Sequence, residues 1–340
     1  MRIFRGYQHR DLAGPCALTI GNFDGVHRGH QAMLALLRSE AAHRSLPVRV
    51  MTFEPHPREY FAPDSAPARI STLRDKLTEL QRCGVDEVVV LPFRAGLAGL
   101  DAHRFITDIL VAGLQVRYVL VGDDFRFGAR RAGDYALLDA AGSHLGFDVA
   151  RMNSYEVHGL RVSSSAVREA LARGQMDLAA SLLGRPYAIS GHVVHGRKLG
   201  RQLGAGRLGA GQGFRTLNLR FAHRQPAAGG IFVVEVHGLA SQALEGVANL
   251  GVRPSLEASD INRGQVLLET HVLNWPDALA CGGGYGKILR VDLLHKLHDE
   301  RKYQGLEALT EGIATDCEDA RAWFASRHNR THRQTTRDRI

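Results

Sequence analysis

The sequence predicts an α/β protein in two parts. A parallel sheet flanked by helices (a Rossmann-like domain) comes first, and a small closed antiparallel β-barrel with a C-terminal helix follows. Short apolar runs alternate with helical stretches in the first half, whereas short β-like runs separated by turns replace them after Leu183. Alternation is typical of parallel sheets, and many short strands are typical of barrels. The length of 340 residues also favours two domains.

The first-half elements follow from apolar runs and helical spacing. Strands are predicted at residues 15–20, 48–53, 87–91 and 116–121, and helices at residues 29–43, 73–83 and 103–111. In parallel sheets, ligands bind beyond the carboxyl ends of the strands. We therefore expect the first ligand site in the loops that follow these strands.

The second-half elements are shorter strands and one long helix. Strands are predicted at residues 188–195, 216–221, 230–237, 246–249, 266–273 and 286–294, and the helix at residues 305–326. The predicted domains are residues 1–184 and 185–325. Residues 326–340 contain five arginines and one aspartate, and this polar, basic tail is predicted to be disordered.

Composition narrows the function classes. Half of the net charge of +8 lies in the tail, so charge alone permits a nucleic-acid partner without favouring one. The four cysteines are far apart without a CxxC pair, which argues against a zinc or redox motif. No apolar run reaches the roughly 18 residues that cross a bilayer, and the N-terminus lacks a signal-peptide pattern. We therefore expect a cytoplasmic protein without a membrane partner.

The segment GNFDGVHRGH, residues 21–30, is the strongest chemical signal in the first half. It lies where a strand gives way to a helix, and the free N–H groups at a helix start favour phosphate. Gly25 and Gly29 permit close backbone approach. His27 and His30 point roughly the same way, as suits charge developing on a reacting phosphate. A metal-binding pair or two unrelated surface histidines are the alternatives.

Three further segments carry ambiguous signals. Hydroxyls at residues 163–165 could be helix caps. Arg168 lies near the first turn, where a cation opposes the helix dipole, and a bound anion would offset that repulsion. Asp123 and Asp124, followed by alternating aromatic residues, could line a pocket for a flat ligand or form a turn. The prolines of residues 55–57 could stiffen a ligand-contacting flap or simply end a strand.

The second half contains a glycine run, with seven glycines in residues 196–213. Such a run could hold phosphate together with Lys198, or could be a flexible hairpin loop. Thr216 and Asn218 share one strand face and, with phosphate oxygens, could bind Mg²⁺. Glu269 in an apolar strand could be a general base or an outward-facing polar residue.

Taken together and in this order, these segments resemble the bacterial bifunctional riboflavin kinase/FAD synthetase family. The GxFDGxHxGH, PHP, GxDFxFG and SSxxxR segments resemble its adenylyltransferase module, and the GxKLGRxLG, TxN, GVANxGxRP and LExH segments resemble its kinase module. The resemblance covers about residues 1–325. Two departures lie in the kinase module: residues 205–213 are inserted in the phosphate loop, and Arg215 replaces the usual proline.

The resemblance implies roles for particular residues. His27 and His30 would be catalytic in adenylyl transfer, and Glu269 would be the general base of the kinase. ATP or phosphate would contact Gly21, Phe23, Gly25, Gly29, Ser164, Ser165, Arg168, Gly196, Lys198 and Gly200. Flavin would contact Pro55, His56, Pro57, Asp124, Phe125 and Phe127, and Mg²⁺ would contact Thr216 and Asn218.

The implied function is ATP-dependent phosphorylation of riboflavin to FMN, followed by adenylylation of FMN to FAD with release of pyrophosphate. The implied partners are riboflavin, FMN, ATP and Mg²⁺. The oligomeric state, monomer or weak homo-oligomer, is left open. Two alternatives remain: a FAD synthetase with an impaired kinase, motivated by the departures in the phosphate loop, and a regulatory RNA-binding protein, motivated by the basic tail.

Overall fold

The computed structural model describes residues 1–12, 14–157, 159–194, 216–220, 225–251, 266–275 and 284–337. The chain divides into two compact units, one of residues 1–67 and 76–166 and the other of residues 68–75 and 167–340. The predicted domain boundary at residue 184 stays a prediction. In the described part of the chain, no helix is both long and apolar enough to cross a membrane.

The first unit is built on a six-stranded parallel sheet. Its strands are β1 (Arg2–Arg5), β2 (Cys16–Ile20), β3 (Val48–Glu54), β4 (Glu87–Pro92), β5 (Val116–Gly122) and β6 (Asp148–Met152). The spatial order is β1-β4-β3-β2-β5-β6, and all five strand pairs are parallel. The chain winds outward in one direction from β2 to β4 and in the other from β5 to β6. Because the order reverses between β2 and β5, the crevice beyond their carboxyl ends is the expected ligand position.

Helices cover this sheet. They are α1 (Arg28–His43), α2 (Pro57–Phe61), α3 (Leu73–Arg82), α4 (Ala95–Ala98), α5 (Ala102–Arg104), which continues as a π-helix (Phe105–Gly113), and α6 (Tyr135–Leu145). Strand β2 is buried throughout, as expected for a strand covered on both faces. The alternation predicted from the sequence is confirmed. The edge strands β1 and β6 escaped prediction, because Phe4 is the one buried residue of β1 and β6 has none.

The second unit begins with α7 (Ser164–Ala172), whose first residues belong to the first unit, and continues through α8 (Met176–Leu183). Six antiparallel strands then close a barrel in the order β10-β13-β12-β11-β14-β9. They are β9 (Tyr187–Val194), β10 (Thr216–Arg220), β11 (Gly230–His237), β12 (Leu244–Gly251), β13 (Leu267–Val272) and β14 (Ile288–His298). A short hairpin, β7 (Glu156–Val157) and β8 (Leu160–Arg161), precedes α7. The predicted six-stranded barrel is confirmed.

The C-terminal helix α9 spans Leu306–Arg337 and packs its apolar face on the outside of the barrel. The predicted helix ends at residue 326, so the structure differs from the disordered tail that the sequence predicts there. Arg327 donates to Glu235 at 2.9 Å, and His328 lies 3.6 Å from Glu245. Because adding a turn to an existing helix costs far less than nucleating one, these contacts and the packed turns before them explain the extension.

Candidate active sites

The loop after β2 has a strained backbone. Phe23 and Val26 have φ values of 47° and 41°, and Gly25 has 86°. For a β-branched residue such as Val26 this conformation is a true outlier, and strain of this kind persists only where the surroundings enforce it. Both Phe23 and Val26 are buried. Burial therefore fixes the loop shape, and strained backbone of this kind is concentrated at functional sites.

The two predicted histidines lie together at the start of α1. His27 is the N-cap residue, and its Nδ1 accepts a hydrogen bond from the backbone N–H of His30 at 3.3 Å. The two imidazole rings stack with centroids 3.6 Å apart and an interplanar angle of 15°. A Cβ on Gly29 would lie 3.2 Å from two atoms of the His27 ring. Glycine is therefore favoured at position 29 by the limited space, because a side chain there would crowd the His27 ring.

The electrostatic environment keeps His30 neutral. Burial holds the pKa of His30 well below its usual range, and electrostatic interactions with His27 and Lys76 lower that pKa further. Within the described part of the chain, His30 Nδ1 is buried and has no hydrogen-bond partner. A neutral ring at a helix N-terminus can still donate one N–H to an anionic ligand.

Lys76 is a residue that the sequence reasoning missed. Its side chain is 1% exposed, and Nζ lies 3.5 Å from the Thr52 hydroxyl, which donates to the Asn22 carbonyl at 3.2 Å. A buried ammonium thus lies close to the loop of residues 21–30. The available signal was the helical spacing of α3, where Lys76 occupies a position on the apolar stripe of Leu73 and Leu80.

The start of α7 is joined to the same loop. Ser163 Oγ accepts from the backbone N–H of Ala166 at 3.2 Å and thereby serves as the cap. Ser164 Oγ instead donates to the Asp24 carbonyl at 3.0 Å, and Ser165 is exposed in the first turn. The alternative reading as caps therefore applies to Ser163, and the phosphate roles of Ser164 and Ser165 stay predictions.

Arg168 lies one helical turn beyond Ser164 on α7. In the second unit its Nε donates to the Ala68 carbonyl at 2.7 Å. This contact orients the guanidinium, a group that carries five N–H donors in all. Its predicted phosphate role stays a prediction.

The Pro55–His56–Pro57 segment has a structural role. His56 Nδ1 accepts from the Arg58 N–H at 3.1 Å, and the His56 N–H donates to Glu59 Oε2 at 3.0 Å, which makes a capping box for α2. Pro57 is the first residue of that helix, and Pro55 follows a cis peptide bond. Their contact with flavin stays a prediction.

The segment after β5 contains both exposed and buried side chains. Asp123 binds Ser154 at 2.5 Å and Arg161 at 3.2 Å, and these two partners, the serine hydrogen bond foremost, lower the pKa of Asp123. Asp124 is exposed. Phe127 is buried in the core of the first unit, whereas Phe125, 5.5 Å from it, is half-buried. Of the two predicted flavin-binding rings, Phe125 is therefore the one that reaches the surface.

An aromatic cluster at the carboxyl ends of β3 and β4 also escaped prediction. Tyr60 and Phe61 on α2 are 40% and 65% exposed, and both rings contact Phe93 at centroid distances of 5.5 and 5.6 Å. Phe53 packs edge-on against Phe93 at 5.8 Å. Exposed apolar patches of this kind mark binding surfaces. The signal in the sequence was the adjacent Tyr60-Phe61 pair.

In the barrel, three polar residues form a row across adjacent strands. Glu269 on β13 pairs in register with Asn218 on β10 and with Asn249 on β12. Residues directly opposite each other in a sheet share one face, with Cβ atoms about 5 Å apart. Asn218 and Asn249 each keep a buried Oδ1 that has no hydrogen-bond partner among the described residues. A ligand with hydroxyl donors or a cation would satisfy these oxygens.

The donor set also fits the predicted magnesium site. Thr216 lies two residues before Asn218 and on the same strand face, so a hydroxyl and a buried carboxamide oxygen are neighbours. Neutral and anionic oxygens are the ligands that Mg²⁺ prefers. Within the described residues there is no cluster of three His, Cys, Asp or Glu side chains able to hold a metal. Substrate phosphates would have to complete the coordination.

The predicted phosphate loop lies outside the described residues. This applies to Gly196, Lys198 and Gly200, to the inserted residues 205–213, and to Arg215. Their roles stay predictions.

These two sites define a class of protein. A phosphate-favouring helix start at the switch point of a parallel sheet, together with a carboxylate between two carboxamides on a barrel, indicates a transferase with two nucleotide-dependent modules. Family models agree with this division, since one described as FAD synthetase matches residues 9–166 and one described as riboflavin kinase matches residues 183–324.

Relatives narrow the class to one family. Proteins named bifunctional riboflavin kinase/FMN adenylyltransferase are 45% identical in Escherichia coli K12 (95% of this chain, 98% of that one) and 41% identical in Haemophilus influenzae (96% and 100%). This chain belongs to that family. A solved structure titled as a macrolide-efflux protein from Streptococcus pneumoniae has a TM-score of 0.73 at 24% identity, covering 95% of this chain and all of that one, and shows the same fold.

Proposed function

We propose that the two units of this chain divide the family's two reactions, riboflavin phosphorylation and FMN adenylylation, between separate sets of residues. The barrel transfers the γ-phosphoryl group of ATP to the 5′-hydroxyl of riboflavin. The N-terminal unit then joins FMN to the AMP part of a second ATP and releases pyrophosphate. The observation that carries the proposal is the presence of two separate constellations, the His27–His30 pair at a helix start and the Asn218–Glu269–Asn249 row on the barrel.

In the kinase step, Glu269 accepts the proton of the riboflavin 5′-hydroxyl as that oxygen attacks phosphorus. Its place beside Asn249 supports this role, because that carboxamide can orient the polyol that carries the hydroxyl. Thr216 and Asn218 would hold Mg²⁺, which when bound neutralises charge on the transferred phosphoryl group. The loop of Gly196, Lys198 and Gly200 would hold the phosphates.

In the adenylyl-transfer step, the FMN phosphate is already an anionic nucleophile, so it needs no strong base. It attacks the α-phosphorus of ATP, and the bond to pyrophosphate breaks. His27, His30 and the N–H groups that begin α1 would stabilise the developing charge, since a neutral His30 can donate a hydrogen bond. The phosphates would also meet the loop of residues 21–29 and α7, namely Gly21, Phe23, Gly25, Gly29, Ser164, Ser165 and Arg168.

The flavin ring requires a flat apolar surface. Tyr60, Phe61 and Phe93 offer one at the carboxyl edge of the sheet, beside the predicted segment of residues 55–57. Phe125 and Asp124, which follow β5, would contact the same ligand from the other side of the switch point. We further propose that the protein acts in the cytoplasm as a monomer or weak homo-oligomer, without a nucleic-acid or membrane partner.

Turnover of the purified chain tests the proposal. The protein is incubated with Mg-ATP and either riboflavin or FMN, and FMN and FAD are separated by chromatography with fluorescence detection. Both products are expected from riboflavin, and FAD alone from FMN. FAD from FMN without FMN from riboflavin would instead favour the version with an impaired kinase, which the inserted residues 205–213 and Arg215 motivate.

A further inference from the structure

The segment between β14 and α9 places a second carboxylate beside the barrel row. Glu300 hydrogen-bonds the Asn249 side chain, and burial raises the pKa of Glu300 above its usual range. A carboxylate accepts hydrogen bonds, so Asn249 Nδ2 is the donor and Asn249 Oδ1 remains for another contact. That oxygen and Glu300 Oε1 are both buried, and neither has a hydrogen-bond partner among the described residues.

The Glu300 carboxylate packs closely against the backbone of Gly251. Gly251 lies two residues beyond Asn249 on β12, and a Cβ built on it would overlap the Glu300 carboxylate. Its φ is not in the left-handed region, so space and not backbone conformation is what requires glycine there. The absence of one side chain on β12 therefore makes room for Glu300 next to Asn249.

We propose that Glu300 is a positioning residue of the kinase site, holding the Asn249 carboxamide so that its Oδ1 accepts a hydrogen bond from the polyol chain of the acceptor alcohol beside Glu269. The proposal rests on the proposed riboflavin kinase function. An unrestrained carboxamide can rotate and exchange its oxygen for its NH₂ group, which would present donors to hydroxyls that need an acceptor. Fixing the amide at one end by a carboxylate removes that ambiguity and reduces the ordering cost of binding.

The test combines substitutions that remove Glu300 with one that displaces it. Glu300→Ala deletes the acceptor, whereas Glu300→Gln keeps an oxygen that can accept from Asn249. Gly251→Ala pushes the flexible Glu300 side chain away without deleting it. Asp299→Ala, at an exposed neighbour, and Gly191→Ala, where a Cβ on β9 meets only ordinary contacts, are the matched controls.

For each variant, KM and kcat are measured for riboflavin phosphorylation, and FAD formation from FMN is measured in the same preparation. We expect Glu300→Ala and Gly251→Ala each to raise the KM for riboflavin about 3- to 10-fold, the range that one hydrogen bond supports. Glu300→Gln should stay within about twofold of the parent, since it retains the acceptor. Adding Gly251→Ala to Glu300→Ala should change nothing further, because the overlap is already gone.

Any of three results would overturn the proposal. The first is an unchanged KM in Glu300→Ala, and the second is an equal rise in KM in Glu300→Gln and Glu300→Ala. The third is a KM in the double variant that equals the product of the two single-variant effects. Failure of the kinase assignment itself has a different signature, which is absence of turnover in the unaltered chain. In that case riboflavin binding is measured by flavin fluorescence titration of the same variants. The same 3- to 10-fold pattern in Kd would support the positioning role, and its absence would overturn it.

Discussion

The two candidate sites use different parts of the polypeptide. In the first unit, the ligand surface comes from backbone: a strained loop, a helix N-terminus and glycines that leave room for an imidazole pair. In the barrel, it comes from side chains that the register of β10, β13 and β12 places in one row. The first site should therefore be sensitive to added Cβ atoms as well as to the loss of its imidazoles, whereas the second should be sensitive mainly to the removal of functional groups.

The largest expected effect tests the side-chain site. Glu269→Gln should lower the kcat of riboflavin phosphorylation about 10²- to 10⁴-fold, because a carboxamide cannot accept the hydroxyl proton. FAD formation from FMN should be unchanged. Glu245→Gln, on the same barrel face but outside the row, is the matched control for both reactions. Normal kinase activity in Glu269→Gln would remove that residue as the base.

His27→Ala tests the site in the first unit by removing one of its side chains. It removes both the cap of α1 and the ring that stacks on His30, so FAD formation should fall about 10²- to 10³-fold while FMN formation is spared. His43→Ala, at the exposed end of the same helix, serves as the control. Loss of both activities with an unchanged melting temperature would refute the assignment of two independent sites.

Gly29→Ala is the sharpest test of sensitivity to an added Cβ. The new methyl would approach the His27 ring at 3.2 Å and the Val162 carbonyl at 3.4 Å, so we expect FAD formation to fall about tenfold as the ring is displaced. In Gly96→Ala the methyl meets nothing within 4 Å, and activity should be that of the parent. Equal activities of the two variants would show that the His27 ring position is not critical.

The neutral state of His30 predicts a pH dependence of stability. An unfolded histidine binds a proton below about pH 6.5, whereas native His30 resists it, so the free energy of unfolding should fall as pH decreases through that value. Between about pH 7.5 and about pH 5.5, the parent should lose up to about 1.4 kcal/mol more than His30→Gln. Urea unfolding at the two pH values measures this, with His43→Gln as the control. Identical losses in the parent and His30→Gln would show that folding does not lower the pKa of His30.

The smallest expected effect concerns the basic end of α9. Deleting residues 327–340 removes the Arg327–Glu235 ion pair at a half-exposed site, which should lower stability by less than about 1 kcal/mol and leave both activities intact. Filter binding of RNA, with and without added salt, tests the RNA-binding alternative on the same pair of proteins. Salt-sensitive binding that the deletion abolishes, together with absence of turnover in the full chain, would favour that alternative.

Much of the fold was predictable because its signals are local. Apolar periodicity predicted the strands of the barrel and the central strands of the parallel sheet, each within a few residues of its observed ends. Strands β1 and β6 were missed because a strand with at most one buried residue gives no clear periodicity. The helical end of α9 was missed because arginine-rich composition alone does not reveal that a packed helix precedes it.

The sequence by itself determined which functional groups are present and how the elements follow one another. These features are the His27–His30 spacing, the Glu269 carboxylate and the change from alternating elements to short strands. These depend on residue type and on separations of a few residues, which the chain carries in any conformation. Only the tertiary structure decided that the two imidazoles stack, that Lys76 is buried near the loop of residues 21–30, and that Asn249 lies between Glu269 and Glu300. Such contacts join residues far apart in sequence, because strand register and helix packing, and not local spacing, set the distances between them.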